Sequence, residues 1–124
     1  MGNEDQTAQQ QLRWAIQALA ASAEDQARLF PPSACTACEL LGDFENWYGV
    51  VVSRDSLGIA AEQRAALDAV KGHIVAMEPT QCFTGPGALE RRDWQELRLR
   101  AAACLSSFGW AAGVPPSDRS TYVV

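Results

Sequence analysis

Histidine and lysine are almost missing from this chain: His73 and Lys71 are the single representatives of each among 124 residues. One histidine rules out a histidine-rich metal centre and leaves any Ser-His-Asp or Cys-His arrangement only His73 to use. Its position beside Val70 and Ile74 on a helical face is that of a half-buried structural imidazole rather than a catalytic one. No uninterrupted apolar run approaches a membrane span. Walker loops, dinucleotide fingerprints, His-Glu-x-x-His and calcium loops are absent, as are internal repeats and low-complexity tracts. The opening Met1-Gly2-Asn3-Glu4-Asp5 lacks the basic-then-apolar order of a secretory signal, and Gln6 stands where a myristoylation motif wants Ser or Thr. The expectation is a cytoplasmic protein with no membrane role, its four cysteines thiols rather than a disulfide framework. Arginine in place of lysine and heavy use of alanine fit a GC-rich, bacterial coding bias and carry no chemistry.

Positive charge is scarce in one half only. Residues 1–50 hold two basic groups, Arg13 and Arg28, against seven acids, whereas residues 51–124 hold eight of each, so the whole formal charge of −5 lies in the first half. A nucleic-acid binder normally shows a basic patch, and the pattern predicts no nucleic-acid partner. An acidic half is ordinarily a solvated face, and it also suits a basic protein partner.

What is present in quantity is hydrophobic residue, 48% of the chain, with 20% charged. That composition belongs to a folded single domain over residues 1–124. Four helical periods organise it, and no convincing alternating strand competes. The first helix, about 5–30, aligns Leu12, Ile16, Leu19, Ala23, Ala27 and Phe30, with Gln10, Arg13, Gln17, Glu24 and Arg28 opposite, and stops at Pro31-Pro32. The second, about 34–52, takes Ser33 as its cap. It aligns Leu41, Phe44, Tyr48 and Val51, broadened by Leu40 and Trp47, with Cys38 on the same side. The third, about 59–78, aligns Leu67, Val70, Ile74 and Met77. Thr80 to Gly87 is the longest irregular connection. The fourth, about 88–109, starts at Ala88 or restarts at Asp93, where Asp93-Trp94-Gln95-Glu96 fits a capping box, aligns Trp94, Leu97, Ala101, Cys104 or Leu105, and Phe108, and ends at Gly109 and Gly113. Residues 111–124 form a tail, either mobile or extended over the bundle and held by Trp110, Tyr122 and Val123. The predicted fold is therefore an all-α bundle of four main helices with an extended C-terminal tail.

Two sets of residues carry the functional expectations. Cys35-x-x-Cys38 opens the second helix. It is half of a zinc site whose other half would need Cys82 and Cys104, with Cys104 too deep in its helix. As a dithiol, it gains from a helix N-terminus, which stabilises a thiolate. Cys35-Thr36-Ala37-Cys38-Glu39-Leu40-Leu41 resembles the start of the Cys-x-x-Cys-x-x-x-His motif of the all-helical carboxymuconolactone decarboxylase family. Gly42 stands where that family has its histidine, so no proton-relay residue carries over. The second set is a surface for a partner: Trp14 and Trp47 as anchors, with Glu39, Asp43 and Glu45 steering a basic protein. Glu39 and Asp43 are also the best carboxylate pair on one helical face. The sequence favours this binding role without catalysis, cofactor or metal, in the manner of small acidic immunity proteins. The alternative is a thiol redox or zinc protein centred on Cys35 and Cys38. The sequence leaves open whether the chain is a monomer or a homodimer.

Overall fold

The structure is a computed structural model that describes residues 2–31, 35–54, 57–77 and 87–116. Within them are five α-helices: α1 (Gly2–Ala20), α2 (Ala23–Ala27), α3 (Thr36–Val52), α4 (Ala61–Met77) and α5 (Arg92–Phe108), with a 3-10 turn at Ala88–Glu90. No strand occurs among the described residues, and none of their helices is long and apolar enough to cross a membrane. The all-α bundle follows as expected, with four long helices and one short one. Helix α1 packs on both α3 and α5, α5 packs on α4, and α4 closes back on α3 along a thinner seam.

The core is built from the predicted faces. Leu12, Ile16 and Leu19 of α1, Leu40, Leu41, Phe44 and Val51 of α3, Leu67, Val70, Ile74 and Met77 of α4, and Trp94, Leu97, Ala101, Cys104 and Leu105 of α5 are all buried in one cluster. Small residues on α1, Ala8, Ala15 and Ala18, are buried beside them. Both helix neighbours, α3 and α5, can therefore approach α1 closely, and burial of the larger side chains contributes about 1.5–3 kcal/mol each.

The first predicted helix, 5–30, is in fact two. Helix α1 ends at Ala20, and Ser22 starts α2 in extended backbone, its hydroxyl accepting from the Asp25 N–H at 3.1 Å. Ser22 thus offers the chain a cap where the apolar period alone reads as continuous helix. The break is stabilised by Gln26, which is fully buried. Its amide donates to the carbonyls of Ala18 and Leu19, both at 3.0 Å, and its oxygen accepts from Arg98 Nε at 3.2 Å. These carbonyls belong to the last turn of α1 and have no partner within the helix.

Other boundaries differ by less. Helix α4 begins with a backbone donor at Ala60 answered by the Gln63 side chain at 2.9 Å, the returning half of a capping box. The predicted Asp93 cap is displaced: Arg91 is the N-cap of α5, in extended backbone and without a side-chain cap bond, so Asp93 lies within the first turn. The preceding 3-10 turn fixes that start two residues earlier than the capping-box pattern does. Gly109 ends α5 at φ +70°, and the N–H of Trp110 reaches back to the Leu105 carbonyl at 2.9 Å. This is the left-handed closure that glycine permits. Trp110 then stacks on Phe108 with centroids 4.3 Å apart. The tail follows the bundle at least as far as Pro115, which is buried, and the Gln17 side chain donates to the Ala111 carbonyl at 2.9 Å. Gln17, placed on the outer face by its period, is buried for this reason. Ser33, Tyr122, Val123 and all of the 80–87 connection except Gly87 lie outside the described residues.

Candidate functional site

Residue 35 is where α3 begins. Cys35 has extended backbone (φ −79°, ψ 97°) and acts as the N-cap, its sulfur accepting from the Cys38 N–H at 3.3 Å. Sulfur takes the role that Ser, Thr, Asp or Asn usually fills, and one of the orphan amides at the helix start is thereby answered. Cys35 and Cys38 are joined as a disulfide with Cα atoms 5.3 Å apart, and both residues are exposed. This corrects two expectations. The pair is oxidised rather than two free thiols, and Cys38 points away from the core although Leu41, one turn on, enters it. Ala37 in the same turn is buried in the core, so the first turn of α3 packs on one side while Cys35 and Cys38 lie on its exposed side.

Of the other two cysteines, Cys104 alone is among the described residues, and it does not join this site. Cys104 is a buried free thiol on α5. Burial pushes it up to about 12, with a hydrogen bond to Ser107 pulling the other way. It stays protonated at neutral pH and is neither a nucleophile nor a thiolate ligand. Cys82 lies outside the described residues. No group of three or more His, Cys, Asp or Glu side chains is arranged for a metal among the described residues. Gly42, where the resemblance noted above would require an imidazole, is exposed, with open space around its Cβ position.

The predicted partner surface is only partly assembled. Glu39 is exposed one turn above Cys35, its N–H donating to the Cys35 carbonyl at 2.9 Å, and Asp43 follows a turn later, half-buried. Glu45 is instead paired with Lys71 of α4. Trp47 is half-buried against the core rather than presented outward, and Trp14 on α1 is half-buried as well. Of the five residues, Glu39 and Asp43 form a stripe that continues from Cys35, while Trp47 packs on the core and Glu45 joins the seam.

That seam is polar. Beside the Glu45–Lys71 pair, the Tyr48 hydroxyl donates to Asp68 Oδ1 at 2.7 Å and Arg64 Nε donates to the same oxygen at 3.0 Å. The Tyr48 and Arg64 hydrogen bonds hold the Asp68 carboxyl below its usual range, while burial and then Asp68 push Tyr48 up. At its lower end lies an open depression of about 170 Å³ lined by Val51, Val52, Arg54, Gly58, Ile59 and Arg64. Both guanidiniums there are already answered, Arg54 by Asp5 at 3.0 Å and Arg64 by Asp68, so the depression offers no uncommitted cation to an anion.

His73 is half-buried and its Nε2 meets the Asp93 carbonyl at 2.9 Å, a tie between α4 and the start of α5. Sequence reasoning missed the capping role of Cys35, because a search for oxygen caps passes over sulfur to Ser33. The exposed turn, the cap bond and the disulfide between residues three apart together make Cys35 and Cys38 the best-defined chemical feature of the described residues. Comparison with known families, with curated proteins and with solved structures yields no match for this chain, so its function is argued from this geometry.

Proposed function

We propose that this chain is a small helical thiol–disulfide exchange protein with Cys35 as the attacking sulfur and Cys38 as the resolving one. The observation that carries this reading is the Cys38 N–H held on Cys35 Sγ at the N-terminus of α3. A donor aimed at the sulfur, together with the positive end of the helix, stabilises negative charge there when the pair is reduced.

In the reduced protein the Cys35 thiolate attacks one sulfur of a partner disulfide. A Cys35–partner mixed disulfide forms and one partner thiolate leaves. The Cys38 thiolate then attacks Cys35 Sγ, closing the Cys35–Cys38 bond and releasing the second partner thiolate. The two protons of the protein thiols end on the two partner sulfurs, and two electrons pass from protein to partner. The reverse sequence oxidises a partner dithiol.

A structural role for this disulfide has less support. It closes a loop of four residues within one helical turn and joins no two elements, so the chain-entropy gain is about 2 kcal/mol at most. Exposure also leaves both sulfurs open to an attacking thiolate.

The test compares the reduced protein with an unstructured peptide of residues 31–42, both reacting with the neutral 2,2′-dithiodipyridine at pH 7. Reaction at Cys35 is followed by peptide mapping. The folded protein is expected to react about tenfold faster or more, because only there are the helix N-terminus and the Cys38 N–H in place. Equal or slower reaction in the folded protein overturns the reading.

A further inference from the structure

We draw no further inference here: the strongest candidate, the exposed face of α3 that carries Gly42, Asn46 and Gly49 on from the Cys35–Cys38 turn, is a bare helix face, and nothing in the structure shows what covers it.

Discussion

Cys35→Ser will slow exchange with a partner disulfide by about a hundredfold or more, because it removes the sulfur that attacks and the one held by the Cys38 N–H. Cys38→Ser will behave differently. The first step will proceed, and the protein will accumulate as a mixed disulfide at Cys35 that intact-mass measurement detects. Neither change will cost more than about 2 kcal/mol of stability, since the bond spans a single turn and serine keeps an oxygen at the cap position of Cys35. Equal loss in both variants, or loss that follows unfolding, would mean that the pair acts as a staple. Retained exchange in Cys35→Ser would reverse the assignment of the two sulfurs.

The second large effect lies in the polar joint that sets the end of α1. Gln26→Leu is expected to destabilise the protein by about 3 kcal/mol or more, read from denaturant unfolding at constant m. Two carbonyls, of Ala18 and Leu19, lose their donor in a buried site, and the Arg98 guanidinium loses an acceptor while keeping the Leu89 carbonyl. Leucine is close to glutamine in volume, so the cost is one of unmet hydrogen bonds rather than of a cavity. The pair Gln26→Leu with Arg98→Leu should be less destabilising than the two single changes added together, because the second change then removes a group already short of a partner. A cost below about 0.5 kcal/mol for Gln26→Leu would show that water or relaxation supplies what the glutamine does.

These two sites differ in how far the sequence discloses them. Periodicity placed Leu67, Val70, Ile74 and Met77 correctly because burial of one stripe is what makes α4 stable, and the same holds for Trp94, Leu97 and Ala101 on α5. It also ran α1 through Ala20 into α2, since Ala23 and Ala27 keep the step of three and four. The break comes from hydrogen bonds, Ser22 to the Asp25 amide and Gln26 to α1, and a glutamine that buries itself to cap another helix leaves no periodic trace. Gln17 was misplaced for a related reason, its partner being the Ala111 carbonyl, 94 residues away. The spacing of Cys35 and Cys38 was plain in the sequence, but their exposure was not. Position on a stripe predicts burial only where a neighbour covers that side of the helix, and in the first turn of α3 Ala37 is covered whereas Cys38 is not. The partner surface shows the converse case: Glu39 and Asp43 keep the helical spacing the sequence gives them, whereas Glu45 is drawn into the seam by Lys71, 26 residues on.

The measurement that tests exchange at Cys35 and Cys38 most directly is a redox titration of the folded chain in glutathione buffers, with thiols trapped by alkylation and assigned by peptide mapping. Structural disulfides usually have potentials below about −300 mV, so a reversible two-electron transition above that value at Cys35 and Cys38, with Cys104 unmodified throughout, is the result expected here. A pair that stays oxidised at every potential down to that limit, or that forms no disulfide under oxidising buffer, would contradict it.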